Sequence, residues 1–376
     1  LNIPLIKADL PSLAAVEQPF HEILANGRIT NFGRYVQQFE AAAGDFLGCE
    51  VVAVSSGTMA LLFALQAVGL ERDQKVILPS FTFMATGQAI LYAGGIPIFA
   101  EVGEDLMLCP KDLEQLLAEH TDAACVIGVH MYGLPCDTDA IERVTAEAGK
   151  RSGRAIPVIY DAAHAFGAAR NGRRAGTFGT AETFSLSVTK ALVSVEGGMV
   201  SSNDRRIIER IRKMRNYGID EPYDAAMPGM NGKMSEFHAI VGLENLHQLE
   251  RSLARRREKA EYFASQIATR TSFQLIPTPA GSVHTYKDFT VMVPDGLAGR
   301  RDAIIAFLKS KGVETRPYFF PPVHEQKFFR RFATRRLPRT EELSRRVITL
   351  PFFTTIEPAQ MDYVAEALAE AERSLA

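Results

Sequence analysis

The chain has 376 residues, 47% of them apolar and 23% charged, and carries a formal net charge of −2. That balance excludes a disordered chain and gives no global pull toward nucleic acid or an anionic membrane. The length exceeds what one core usually fills, and no window approaches the ~18 consecutive apolar residues of a membrane span.

The opening "LNIPLIKADL" lacks the long apolar core and small-residue cleavage site of a secretory signal. From about residue 51 to 202, short apolar runs alternate with amphipathic segments. Strands are predicted at Val51–Ser55, Lys75–Pro79, Pro97–Val102, Ala124–His130, Pro157–Asp161, Ala181–Ser185 and Gly198–Ser201. Helices are predicted at Met59–Val68, Ala85–Tyr92, Lys111–His120 and Asp139–Ala148. Such alternation indicates a parallel-type α/β sheet, and runs such as "ACVIGV", apolar on both parities, indicate helices on both faces. From Met234 the three- and four-residue steps Phe237, Val241, Leu246, Leu249, Leu253 predict one long helix. Beyond it, a strand in "KDFTVMVP" and helices at Arg301–Lys311 and Pro358–Ser374 predict a smaller α+β domain. Cys49, Cys109, Cys125 and Cys136 have neither zinc-like spacing nor disulfide density, so free thiols, no metal and a reducing cytoplasm are expected.

Four polar clusters fall just after predicted strands, where ligands of open α/β sheets bind. In "SSGTMAL" (residues 55–61), Gly57 permits close approach and Thr58 adds a hydroxyl at a helix start, a seat for phosphate or simply a capped helix. In "PSFTFMAT" (residues 79–86), Phe81 or Phe83 can stack on an aromatic ring or fill the core. In "VIYDAAHAFGA" (residues 158–168), Asp161 ends an apolar strand, where a cationic ring nitrogen would compensate its burial, and His164 can meet the same ring edge. In "SLSVTKALVSVEGGM" (residues 185–199), Lys190 lies among small and apolar residues, which lowers an amine pKa toward the neutral form that attacks aldehydes. Ser185 can join the phosphate seat, and Gly197–Gly198 lets backbone pass close by. A phosphate seat, a stacking ring, a carboxylate for a ring nitrogen and an amine for an aldehyde together match pyridoxal 5′-phosphate (PLP). The absence of a G-x-G-x-x-G after the first strand disfavours a dinucleotide-binding enzyme.

These motifs, with "VHMYGLPCDTDAI", "MRNYGI", "GMNGKMSEFHAIVGLENL", "ETRPYFFPPVH" and "LPFFTTIEPAQMDYV", resemble the DegT/DnrJ/EryC1/StrS family of nucleotide-sugar aminotransferases, essentially end to end. The resemblance implies PLP fold type I: a three-layer, aspartate aminotransferase-like large domain with a mostly parallel sheet (residues 1–250) and a smaller α+β domain (residues 251–376), on which segment 1–20 can pack. It implies Lys190 as the catalytic lysine, Asp161 as the partner of the ring nitrogen and His164 beside the cofactor. Gly57, Thr58 and Ser185 match phosphate ligands, Phe83 the stacked aromatic, and Asn231 a residue lent by the neighbouring subunit of a homodimer with shared active sites. "GRITNFG" and "ETRPYFFPPVH" resemble substrate loops, with Thr30, Arg316, Tyr318 and His324 as contacts. The arginine-rich "FFRRFATRRLPRTEELSRR" is expected as a solvated helix face rather than a nucleotide site.

The chain departs from the family in having Lys233 where arginine is common, Tyr217 in "RNYG" where histidine is usual, and its own version of the lysine segment. The implied reaction moves an amino group from L-glutamate to a keto group of a nucleotide-linked deoxysugar, with a dTDP-4-keto-6-deoxy sugar as the leading candidate. Cyclitol amination, sugar dehydration and a non-catalytic regulator are the alternatives, and Lys190 argues against the dehydratase, whose subgroup carries histidine there.

Overall fold

The computed structural model describes residues 2–375. Two helices that the periodicity does not announce precede the first strand: α1 (Leu13–Asn26) and α2 (Arg34–Leu47). Strands and helices then alternate through β1 (Glu50–Val54), α3 (Gly57–Ala67), β2 (Lys75–Pro79), α4 (Met84–Tyr92), β3 (Ile96–Ala100), α5 (Pro110–Glu119), β4 (Cys125–Val129), α6 (Thr138–Ser152) and β5 (Val158–Asp161). Next come β6 (Ala181–Ser185), β7 (Gly198–Ser202) and α7 (Arg205–Met214).

These strands form one seven-stranded sheet in the order β1-β7-β6-β5-β4-β2-β3. Neighbours pair in parallel except around β7, which runs antiparallel to both β1 and β6. The connection from β6 to β7 holds no crossover helix, so the chain returns beside its own strand in the opposite sense. Alternate residues feed two cores. Val51, Ala53, Ile77, Val126, Tyr160 and Phe184 pack with Phe39, Leu113, Ile141 and Leu246 on one face. Val52, Val54, Val76, Leu78, Ile127 and Ile159 pack with Leu61, Leu65, Ile90 and Ile208 on the other. Burial of both parities is why these strands read as continuous apolar runs.

A 35-residue helix, α8 (Glu236–Arg270), leaves this body. It is followed by β8 (Gln274–Leu275), β9 (Phe289–Met292), α9 (Arg301–Ser310), α10 (Pro338–Ser344), β10 (Val347–Leu350) and α11 (Pro358–Leu375). Strands β8, β9 and β10 form a small antiparallel sheet. Its core joins Phe289, Val291, Ile304, Leu308, Ile348, Val364 and Leu368 to Ala260, Phe263 and Ile267 of α8. Ile3 belongs to this third core, and its N–H donates to Gly312 O at 2.8 Å.

The arginine-rich stretch is not one solvated helix face. It breaks into a short 3₁₀ turn, Phe329–Phe332, and α10, whose proline sits in the first turn. Its arginines reach distant acids: Arg335 pairs with Asp112, Arg339 with Glu104, and Arg345 with Glu325 at 3.1 Å. All four cysteines are free thiols, and burial pushes Cys125 up to about 12, so it stays protonated and inert. No helix among the described residues is long and apolar enough to cross a membrane.

Candidate active site

The carboxyl ends of β1, β2, β4, β5 and β6 open onto one cavity of about 400 Å³. Lys190 lines it from the β6–β7 connection. That loop is pinned at its neck, where Leu186 N–H donates to Gly197 O at 2.9 Å and Ser194 N–H to Leu186 O at 2.8 Å. The glycine pair is required for this approach: a Cβ on Gly198 would stand 2.3 Å from Ser56 O, the cap of α3. Burial drives the Lys190 pKa down to about 8, and the Lys287 charge adds to that effect. Asp288, Asp161 and Glu196 oppose it. Near neutral pH a useful fraction of the amine is therefore unprotonated.

Asp161, 6% exposed, ends β5 in the same wall. Thr86 Oγ1 donates to its Oδ2 at 2.8 Å and Ala163 N–H to its Oδ1 at 3.1 Å. Burial raises its pKa, against the lowering by these two donors and by Lys190 and His130. A carboxylate held this way gains from a cation placed in the cavity.

The anion seat lies at the start of α3. Ser56 Oγ accepts from Met59 N–H at 3.2 Å, and among the described residues no protein group accepts from the Gly57 and Thr58 amides. Gly57, Thr58 and Ser185 all line the cavity. A Cβ on Gly57 would stand 2.7 Å from Ser185 Cβ, filling the cradle between them. Gly57→Ala is expected to weaken PLP binding on the order of tenfold, one displaced charged hydrogen bond, and to lower stability as well, because the new Cβ must push Ser185 away. Titrating cofactor into cofactor-free protein reads the loss, and unchanged affinity would remove Gly57 from the seat.

Phe83 caps the approach to α4, half exposed, with its ring 6.0 Å from that of Phe319. His164 is buried and neutral, because desolvation, helped by the Lys190 and Lys287 charges, holds its pKa well below the usual value. Its Nδ1 has no hydrogen-bond partner among the described residues and lies 4.0 Å from Asp288 Oδ2. Tyr318 completes the wall from the segment between α9 and α10, its carbonyl oxygen accepting from the Tyr132 hydroxyl.

Four expected residues lie outside this cavity. Thr30 is exposed in the loop between α1 and α2. Arg316 is exposed and pairs with Glu314 at 2.8 Å. Asn231 is exposed and bridges to Asn216 through its backbone. His324 turns inward: its Nδ1 shares a 2.6 Å hydrogen bond with Ser80 Oγ, and its Nε2 faces Glu341 at 3.6 Å. The polar interior offered by Ser80 and Glu341 draws it away from the substrate side.

His324, Glu325 and Glu341 bring three ligand-type atoms within 4.8 Å of one another, but Arg336 and Arg345 already neutralise the two carboxylates. Arg336 chiefly holds Glu341 down at about 2, so its stabilising effect is full above the ordinary 4.5 and is lost as pH falls toward 2. Urea unfolding from pH 7 to pH 2.5 is expected to show a smaller acid loss of stability in Glu341→Gln than in the unmodified chain. Parallel curves would discount the pair.

Sequence reading missed Thr82, Thr86, Ser187, Thr189, Glu196, Lys287 and Phe319, all of which line the cavity or, for Thr86, hold Asp161. Thr86 had a signal, a polar residue on the buried side of a helix following a strand end. Lys287 sits in "KDFTVMVP", whose apolar run drew attention only as a strand.

PLP brings a phosphate, a basic ring nitrogen and an aldehyde. The open amides beside the Gly57–Ser185 cradle, the buried Asp161 carboxylate and the depressed Lys190 amine suit these three groups respectively. The fold and this site define a PLP-dependent aminotransferase of fold type I. The pattern of the DegT/DnrJ/EryC1/StrS aminotransferase family matches residues 14–369, and the chain belongs to this family as a sugar aminotransferase. GDP-perosamine synthase of Vibrio cholerae is 31% identical over 347 residues, covering 91% of this chain and 92% of that protein. The solved structure of DesI in the presence of its TDP-sugar product superposes with a TM-score of 0.90 at 31% identity, covering 100% of this chain and 94% of that one. DesV of S. venezuelae, solved in complex with a ketimine intermediate, gives 0.88 at 30% identity, with 99% of each chain covered.

Proposed function

We propose that the chain transfers an amino group from L-glutamate to a keto group of a nucleotide-linked deoxysugar, with a dTDP-4-keto-6-deoxy sugar as the leading acceptor. The observation that carries this reading is the meeting of the Lys190 amine and the Asp161 carboxylate on one cavity beside the open amides of α3. When bound, PLP supplies an electron sink that lets a carbon-bound proton leave as a cation. Asp161 would hold the proton on the ring nitrogen, and Thr86 fixes the orientation of its carboxylate. Lys190 Nζ, neutral in part near pH 7, would be the group that carries a proton between the reacting carbons. Phe83 would cover a ring face and limit water, while Gly57, Thr58 and Ser185 would hold the phosphate. His164, neutral and buried, would meet the ring edge without adding charge.

The acceptor enters past Tyr318, and Thr30, Arg316 and Asn231 reach it only from outside this cavity. Asn231 lies beside the exposed Met230 and near the exposed Tyr217, which suits a cross-subunit contribution in a homodimer. The reading divides the chain into a cofactor domain, residues 1–250, and a small domain, residues 251–376; the change of core along α8 between Leu253 and Ala260 supports that division. Four free thiols suit the cytoplasm.

The test starts from protein loaded with pyridoxamine 5′-phosphate and offers dTDP- and GDP-linked 4-keto-6-deoxy sugars, a 3-keto sugar and scyllo-inosose. Return of the PLP absorption with the dTDP sugar is expected. Return with inosose alone would replace the acceptor by a cyclitol, and return with none would sink the proposal.

A further inference from the structure

A second lysine shares the cavity. Lys287 lines it directly beside Tyr318, yet is only 5% exposed. Its Nζ lies 2.8 and 3.0 Å from the two oxygens of Asp288. Asp288 is 2% exposed and lines a separate small cavity of about 100 Å³, with Tyr132 and His284. Lys287 therefore lines the active-site cavity, whereas Asp288 lines the smaller one and also lies 4.0 Å from His164 Nδ1.

The backbone that carries the pair is clamped to the large domain. Thr285 N–H donates to Gly133 O at 3.0 Å, and Thr285 Oγ1 to His164 O at 2.8 Å. Arg256 donates to the carbonyl oxygens of Thr285, Tyr286 and Lys287. This fixed mount holds a buried cation at a site where another amine must lose its proton.

We infer that Lys287 is a positioning residue for Lys190: its ammonium, oriented into the shared cavity by Asp288, disfavours a second ammonium there and keeps the Lys190 amine available for attack. The inference rests on the assignment of Lys190 proposed above. Two like charges lining one poorly solvated cavity oppose each other, and Lys287 has a carboxylate 2.8 Å from its ammonium whereas Lys190 has no ion pair among the described residues. The groups facing Lys190 are Asp161 from β5, His164 just after it, His130 after β4, Glu196 from the loop, and Lys287 with Asp288 before β9. Among these charges Lys287 acts on Lys190 most strongly, ahead of Asp288 and Asp161.

The test is competitive acetylation of the full chain freed of cofactor, across a pH series, with the Lys190 peptide quantified by mass spectrometry. Wild type is expected to label with a midpoint near 8. Lys287→Gln, which still donates to Asp288, is expected to move that midpoint up by roughly one pH unit. Lys287→Met combined with Asp288→Asn leaves no buried charge, guards against misfolding of the single variant, and is expected to move it up by less. Lys287→Arg is expected to keep the wild-type midpoint. Wild-type midpoints in both Lys287→Gln and the double variant, or an ordinary lysine midpoint in the wild type, would overturn the inference. Failure of the underlying assignment looks different: Lys190→Ala would retain the absorption of bound cofactor, whatever the labelling midpoints show.

Discussion

Lys190→Ala is expected to lose transamination by at least about 10³-fold, because the proposed proton carrier and covalent anchor of the cofactor disappear together. The protein should remain folded, since the side chain borders an open cavity and makes no hydrogen bond or ion pair among the described residues. Its stability should also respond differently to pH. The folded pKa of Lys190, about 8, lies below its ordinary 10.5, so the unfolded chain holds more protons between these values. Stability of the cofactor-free wild type therefore gains from this group as pH rises through that window, and the alanine variant lacks the gain. Absorbance, turnover with a keto sugar, and urea unfolding at pH 7.5 and 10 check all three outcomes. Activity surviving within tenfold would remove Lys190 from the chemistry.

Asp161→Asn separates activity from stability with opposite signs. Activity is expected to fall by roughly 10² to 10³-fold, because an amide cannot hold a proton on the cofactor ring nitrogen as a carboxylate does. Stability of the cofactor-free protein is expected to rise near neutral pH. Burial lifts the folded pKa of Asp161 above 3.8, so its carboxylate costs stability as pH climbs through the folded value, and asparagine removes that cost. Asparagine retains an acceptor for Ala163 N–H, so the loop after β5 keeps its shape. Calorimetry of both cofactor-free proteins at pH 7 reads the sign; a less stable variant would mean that Asp161 holds the fold rather than the cofactor.

Much of this site was legible because each part sits at a strand end that the sequence marks with an apolar run followed by small or polar residues. Val158–Tyr160 pointed to Asp161, Val51–Val54 to Gly57 and Thr58, and Ala181–Phe184 to Ser185 and the lysine loop. What stayed hidden depends on contacts between remote segments. Nothing near Arg335 in the chain suggests Asp112, and nothing near His324 suggests Ser80. The reversed β7 is invisible to periodicity, which reports burial but not strand direction. Helix α1 was obscured by Pro19 inside it and by Leu13 and Leu24 on its exposed side. Lys287 was masked by the strand it introduces, although its partner is the next residue.

Helix α8 gives the first core Ala239, Ile240, Leu246, Leu249 and Leu253, and gives the third core Ala260, Phe263 and Ile267. It also reaches back at its start, where Glu236 Oε2 accepts from Tyr35 N–H at 2.8 Å. A rod shared in this way makes melting cooperative. If its far half frays, the small core loses one wall; if its near half frays, the large core loses another, and either loss propagates along the same hydrogen-bonded backbone. The two regions thus share one wall, and loss of either end of the helix is felt by the core it lines. The loop mounting Lys190 and the loop mounting Lys287 are both tied to this rod, through Asn245 to Val193 O at 2.8 Å and Arg256 to Lys287 O at 3.2 Å.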